Sequence, residues 1–451
     1  MLSRNVKIKS IFPAWVAIAI FSLLVFAYGV QGIRSAHRLY PSKLGYQVRA
    51  FDVTPRWIGT KNLLYLGINP YSEEGSALIE EAYFGRVLNS VDESIVKDKQ
   101  HFAYPLYVIF LYAPTVMMSF PNALLVIWVA SFLMCIASIW IWLKLADLNK
   151  GATFVAFSTI FLTWPHIYIG LQSRQPLIVV FFLISIGVYL IVYGERKASH
   201  IAAGVLLFVS TIKPQNALMP VTYLLAVWLP SLADKHRTES VWLGFLVTFG
   251  VSLILTEWLV PGWIPEFVQS LSNYRNYAGT TGAESFLGKG VLSLSVSVLS
   301  VMVAMAVSIL NYRVRRLDAH LIGVSYILVL QGLVFPAHLY TVMMGIPIVI
   351  LSLGSLMRIG GKTNKYYTFA ISLVLVSTFC VLYKYWIHIL SEAPLPEGIR
   401  RSVFMVMDTL PDVPLYVPIP LMLVLGIILF RKAISEGRGK FSLGKLACFE
   451  R

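Results

Sequence analysis

Few residues in this chain can do chemistry, and those that can stand alone. Asp52 is surrounded by neutral and basic neighbours, among them Arg49, Arg56 and Lys61. A carboxylate so placed can take a proton from an attacking hydroxyl, and equally it can be a solvated loop acid or a helix cap. Lys213 lies between two apolar runs, with no other charged residue for about fifteen positions on either side. A lone lysine at membrane depth costs about 2.5–3.5 kcal/mol on insertion scales, which marks it as a functional counter-charge unless its stem lets it snorkel to the headgroups. Arg174, two residues after Gln172, carries a planar fork suited to phosphate oxygens or serves as an ordinary interface anchor. His338 breaks an almost uncharged stretch of more than thirty residues, as a ligand-binding group or as a hydrogen-bonded structural one. The acids Glu73, Glu74, Glu80, Glu81, Asp92, Glu93 and Asp98 read mostly as solvated faces. No Asp-x-Asp pair precedes the second apolar run, so metal-independent chemistry is expected and no metal ligand is assigned.

The elements that position these residues must be membrane helices. Only 13% of the 451 residues are charged and 57% are hydrophobic, whereas a soluble domain has about a quarter charged. Apolar runs fall near 11–31, 103–119, 123–143, 152–164, 176–193, 200–212, 216–230, 241–260, 290–310, 320–335, 341–356, 367–387 and 414–430. Runs near twenty residues cross the hydrocarbon core, and within lipid each backbone amide needs a partner in its own segment. The expected fold is therefore all-α and polytopic. The net charge of +15 does not indicate nucleic acid, because the basic residues cluster in short segments between apolar runs, as the positive-inside rule requires. Cys135, Cys380 and Cys448 have no disulfide or metal spacing. The first run is too long for a signal peptide and has no clear cleavage site, so it reads as a retained helix.

The basic clusters set the topology. They are the N-terminus, Lys144/Lys150, Arg196/Lys197, Lys235/Arg237, Arg313/Arg315/Arg316, Arg358/Lys362/Lys365 and the tail from Arg431, more than half of the 37 Lys and Arg. With all of them cytoplasmic, one run before Lys144 cannot span. Residues 103–119 carry Pro105 and Pro114 and end near Pro121; proline breaks the helix ladder, so this run reads as a re-entrant or juxtamembrane helix. The expectation is a single integral membrane domain over 1–451, with about twelve transmembrane helices and both termini cytoplasmic in the inner (plasma) membrane. Residues 32–122 form a long first extracytoplasmic loop, and residues 431–451 a cytoplasmic basic tail. Within that loop, Ser76 to Leu88 places Leu78, Ala82 and Leu88 on one face of an interfacial helix. Aromatics such as Trp57, Trp164, Tyr168, Trp263, Tyr274 and Tyr277 read mostly as an interfacial belt.

One resemblance gathers the isolated residues together. Asp52-Val-Thr-Pro-Arg-Trp57, then Leu63-Leu64, then Gly67-Ile-Asn69-Pro70-Tyr71 resembles the opening signature of glycosyltransferase family 87. Tyr104-Pro105-Leu106, Gly170-Leu-Gln172, Lys213-Pro214-Gln215 and Pro336-Ala-His338 follow in the family's order. The likeness covers roughly residues 15–355. The chain departs from the pattern at Arg56, where an aromatic is common, and at the Leu inserted between Gly170 and Gln172.

The resemblance implies a GT-C-like fold and an inverting transfer of a sugar, of the mannose type, from a polyprenyl-phosphate donor. The acceptor would be a hydroxyl on a lipid-linked or envelope glycan, on the extracytoplasmic face. It implies Asp52 as general base and His338 as a group that binds the donor phosphate or orients the base. Arg174, Gln172, Lys213, Gln215, Tyr71 and Tyr104 would bind substrate. No cofactor and no nucleic acid are implied; the partners are the donor, the acceptor and membrane lipids. Two other readings stand beside it: a transporter or flippase of lipid-linked sugars, which would need polar residues inside several spans, and a surface-polysaccharide polymerase or ligase, which would place its large loop late in the chain.

Overall fold

The computed structural model describes residues 51–89, 99–147, 170–232, 234–278, 290–314, 317–335 and 343–348, with isolated positions between 30 and 48 and at 92, 167, 350 and 351. His338, Lys150, Trp164, Tyr168, the Arg315/Arg316 pair, the apolar runs near 11–31, 152–164, 367–387 and 414–430, and the tail 431–451 lie outside the described residues.

The described chain is helical apart from one antiparallel pair, β1 (Tyr40–Pro41) with β2 (Gln47–Val48). Two helices precede the membrane-type segments. α1 (Thr54–Leu66) carries Pro55 in its first turn, where a missing N–H costs no helix bond, and stops at Gly67, which adopts φ 67°. α2 (Glu73–Phe84) is capped by the Ser72 hydroxyl on the Gly75 amide at 3.0 Å and opens with two glutamates, complementing the helix dipole. Its buried face is Ile79, Glu80 and Phe84, one register away from the Leu78/Ala82 face expected from sequence. Glu80 is not solvated. Its Oε2 accepts the Leu88 amide at 2.9 Å and its Oε1 pairs with His101 Nε2 at 3.0 Å, so a buried acid anchors the loop that follows. Asp92 likewise is buried and accepts from the Asn89 amide at 3.1 Å and from Arg86.

The proline-rich run becomes a broken segment: a 3-10 turn (Leu106–Val108), α3 (Ile109–Tyr112) and a second 3-10 turn (Ala113–Thr115). Ten residues cannot cross about 30 Å of hydrocarbon. The segment instead mounts α1, since the Trp57 indole N–H donates to Thr115 Oγ1 at 3.1 Å.

Among the described residues, four helices are long and apolar enough to cross a membrane: α4 (Phe120–Leu145), α5 (Pro176–Tyr193), α8 (Lys235–Leu259) and the stretch Val291–Ile309 of α10 (Val291–Val314). Shorter apolar helices fill between them. α6 (Lys197–Val209) runs through a 3-10 turn (Ser210–Ile212) to the buried Lys213. α7 (Pro214–Tyr223) continues through a π-helical turn (Leu224–Trp228) to Leu229–Ser231. α9 (Trp263–Ala278) follows α8, and α11 (Leu317–Val334) follows α10. These features are those of a membrane protein.

α6 and α8 pack at backbone contact. A Cβ at Gly204 would fall 2.0 Å from the Val241 carbonyl oxygen, and one at Gly244 2.1 Å from that of Ile201. Small residues that let helices touch are the usual adhesive in lipid, where apolar side chains gain nothing over lipid tails. α4 and α5 are joined by the Trp142 indole N–H donating to Ser185 Oγ at 2.9 Å. At their far end Lys144 donates to the Tyr189 hydroxyl at 2.9 Å, and Arg237 donates to the Ile191 carbonyl at 2.9 Å. The basic residues Lys144 and Arg237 therefore gather at one end of the helices, and Lys213 lies at the other.

Candidate functional site

At the Lys213 end, side chains from four separated segments meet. Asp52 is half-buried in the turn before α1, where the Thr54 amide bonds the Phe51 carbonyl at 2.9 Å. It is not a helix cap: Val53 holds the N-cap position of α1 and no side chain caps it. The Asp52 carboxylate faces the bundle instead and accepts a hydrogen bond from Gln175 Nε2.

Gln175 is the N-cap residue of α5, yet its side chain does not cap the helix. The chain reaches it through a tight reversal in which Arg174 takes φ 52° and the Gln175 amide returns to the Gly170 carbonyl at 2.9 Å. A non-glycine residue in left-handed backbone is uncommon and strained. Here it aims two side chains at the Phe51–Asp52 turn. The Arg174 guanidinium carbon lies 4.3 Å above the Phe51 ring centre, and Gln175 meets Asp52.

The other end of the Gln175 amide meets Lys213, whose Nζ donates to Oε1 at 3.1 Å. Gln175 therefore spaces a carboxylate from an ammonium, with its N–H toward the anion and its carbonyl toward the cation. Only one orientation of a carboxamide does this. Lys213 is 4% exposed. Burial pushes its ammonium down to about 7; the nearby Arg56 guanidinium pushes the same way and the Asp52 carboxylate opposes both.

Arg56, one helical turn beyond Asp52, is fully buried. Its guanidinium carbon sits 4.5 Å from the Tyr104 ring centre and 6.0 Å from that of Tyr112, and Nη1 donates to the Tyr104 hydroxyl. Its Nε and Nη2 are buried with no partner among the described residues. Among the described residues, Arg56 and Lys213 thus lie with the Asp52 carboxylate while Arg174 covers the adjacent Phe51 ring, three basic side chains near one acid. Buried charge is normally matched one for one; this excess suits an anion.

Aromatic residues form the rim. The Tyr71 hydroxyl donates to the Tyr104 carbonyl, and Tyr71's amide is held by Asn69 Oδ1 at 3.0 Å. Asn69 Nδ2 in turn donates to Glu266 Oε2 on α9 at 2.7 Å, and Ser270 on the same helix donates to the Phe102 carbonyl at 2.7 Å. Burial, and after it the Glu266 carboxylate, raises Tyr71, which stays neutral. Trp57 and Trp263 are buried rather than at an interfacial belt.

The structure thus brings together Asp52, Lys213, Arg174, Tyr71 and Tyr104. Gln172 lies in the same reversal, where its carbonyl accepts from the Arg174 guanidinium. Gln215 is half-buried in the first turn of α7, beside the site. Two members were not singled out from sequence. Gln175 was hidden behind the motif residue Gln172, and Arg56 stood out only as a departure from an aromatic position. Among the described residues no group of three or more His, Cys, Asp or Glu could hold a metal ion. Comparisons of the chain with protein-family models, with curated proteins and with solved structures find no match, so the site is read through its own chemistry.

Proposed function

We propose that this protein is a membrane glycosyltransferase that moves a sugar from a polyprenyl-phosphate donor to a hydroxyl of a lipid-linked or envelope glycan. The observation that carries the reading is the buried grouping of one carboxylate, Asp52, with three cations and the bridging amide of Gln175. The family-87 resemblance adds the substrate class and the mannose-type sugar. A bundle of about twelve spans with the site extracytoplasmic and both termini cytoplasmic belongs to the same proposal.

The chemistry follows from charge. The donor is a phosphodiester with one negative charge. As the anomeric carbon–oxygen bond breaks, the departing polyprenyl phosphate gains a second. Lys213, Arg56 and Arg174 therefore bind the transition state more tightly than the ground state, which is the requirement for catalysis. No general acid is needed for a phosphate leaving group. On the other face, the acceptor oxygen forms its bond to the anomeric carbon and its proton passes to the Asp52 carboxylate.

The test is direct. Purified protein in lipid is given radiolabelled polyprenyl-phosphate mannose and a lipid-linked glycan extract, and the label is followed. Transfer to the acceptor that depends on the polyprenyl phosphate supports the reading. Absence of transfer and of donor binding, over a panel of polyprenyl-phosphate hexoses, sinks it.

A further inference from the structure

Beyond the charged cluster, two buried carboxamides share the Lys213 end of the helices. Gln331 on α11 is fully buried, and neither its Nε2 nor its Oε1 has a hydrogen-bond partner among the described residues. Asn216 on α7 is 2% exposed, and its Oδ1 is likewise unpartnered. Buried amides almost always find partners, and leaving one unsatisfied costs about 1–3 kcal/mol. Two such groups in one place call for an occupant.

The helix geometry puts them in one place. α11 packs along α7, and the Tyr223 hydroxyl lies where a Cβ on Gly323 would be 2.3 Å away. His320 also meets Tyr223 and Ser231, so α11 starts at the far end of α7 and runs back toward Lys213. From Tyr223 to Asn216 is two turns of α7, about 10 Å. From Gly323 to Gln331 along α11 is about 12 Å. Asn216 lies on the same stripe of α7 as Tyr223, and Gln331, three turns from His320, lies on the same stripe of α11 as His320. The two amides therefore occupy facing stripes at one level, within a turn of Lys213.

Their chemistry differs from that of the cation cluster. Gln331 Oε1 and Asn216 Oδ1 accept hydrogen bonds and Gln331 Nε2 donates. A phosphate offers only acceptors. Sugar hydroxyls offer both. From these orphaned amides on facing stripes we infer that Asn216 and Gln331 hold the hydroxyls of the donor's sugar, while Lys213 and Arg56 hold its phosphate. The inference rests on the glycosyl-transfer reading and assigns it a specificity pocket.

The test compares binding of polyprenyl-phosphate mannose with binding of methyl polyprenyl phosphate, a phosphodiester of the same single charge that lacks the sugar, using the full-length protein in lipid. Wild type should bind the sugar-bearing lipid at least about tenfold tighter. Gln331→Leu and Asn216→Leu should erase that margin and leave affinity for the methyl diester within about twofold. Because leucine removes two orphaned atoms, Gln331→Leu should also raise the thermal midpoint of the free protein. Should a variant fail to fold, deoxygenated sugars on the polyprenyl phosphate carry the same question to the wild-type protein, and loss of affinity on removing one hydroxyl is expected. A wild-type margin that survives both leucine variants, or that is indifferent to every deoxygenation, overturns the pocket while sparing the phosphate site. A wild type that binds neither lipid removes the glycosyl-transfer reading, and the pocket with it.

Discussion

Two buried polar clusters lie at opposite ends of α7, and they are built on different rules. At the Tyr223 end, Asn311 Nδ2 donates to the Tyr223 hydroxyl at 2.7 Å, that hydroxyl meets His320 Nδ1 at 3.1 Å, and His320 Nε2 meets Ser231 Oγ at 2.6 Å. Ser231 spends its own proton on the Trp228 carbonyl at 2.6 Å. The donors therefore run one way, ending on a backbone oxygen, and they assign His320 its neutral form with the proton on Nε2. The ring stacks on Trp228, 5.5 Å away and 7° from parallel. No formal charge is needed, and Asn311 Oδ1 and the Trp228 indole N–H are the cluster's orphaned atoms among the described residues. At the Lys213 end the groups are charged, the cations outnumber the carboxylate among the described residues, and two buried Arg56 nitrogens, Nε and Nη2, have no partner there. The first cluster is a joint between α7, α10 and α11. The second is, on the proposed function, a receptacle. What separates them is whether formal charge balances without a ligand, not how polar or how deep they are.

The contrast is broken or sharpened by substitution. Asp52→Asn keeps size and loses basicity, so turnover should fall by about 10²–10⁴-fold with donor binding retained; turnover within about threefold of wild type at saturating donor would remove Asp52 as the base. Arg56→Met should act in two directions. Donor affinity should drop by about thirtyfold or more, since a buried counter-charge is lost, while the free protein becomes more resistant to heat because idle N–H groups are gone. Wild-type donor affinity in this variant would make Arg56 structural.

The pH dependence of donor binding should be smaller. Burial depresses Lys213 to about 7, and an adjacent phosphodiester raises it again. The protonated lysine binds the donor, so affinity is full below pH 7 and declines by up to about tenfold per unit above it, until the bound-state value is reached. The donor does not titrate in this range, and Lys213→Arg should flatten the profile. A wild-type profile flat from pH 6 to 9 would show that Lys213 does not contact the phosphate. The smallest effect on activity belongs to the joint. Tyr223→Phe should lower stability by about 1–3 kcal/mol and leave turnover per folded molecule unchanged within about twofold. A collapse of turnover in a folded Tyr223→Phe protein would mean that the joint takes part in the reaction.

The sequence made Asp52, Lys213, Tyr71 and Tyr104 legible because each is conspicuous locally: a lone charge in an apolar run, or an aromatic beside proline. Gln175 was not, because its role depends on Arg174 adopting positive φ, and no residue type there announces it. Arg56 was read as an oddity against an aromatic pattern. The structure shows a cation lying on aromatics supplied from elsewhere, Tyr104 and Tyr112. The broken segment 106–115 was legible from its prolines. Glu80 was misread because a glutamate on a loop helix looks solvated until the Leu88 amide and His101 come back to meet it. The buried histidine joint could not be foreseen, since the partners of His320 are supplied by α7 and the segment after it, about ninety residues earlier.

One feature of α6 bears on the membrane itself. The apolar stretch Lys197–Ile212 rises only about 24 Å, against about 30 Å for an average hydrocarbon core. It packs closely against α8 through Gly204 and Gly244. Where a bilayer thins locally to keep Lys213 at its boundary, the cost is a fraction of a kcal/mol per Å of mismatch. The dimple would bring the headgroup plane, and a polyprenyl phosphate lying in it, down to the cations. Acyl-chain length would then act on this protein as a control of substrate access, with donor capture weakening in thicker membranes.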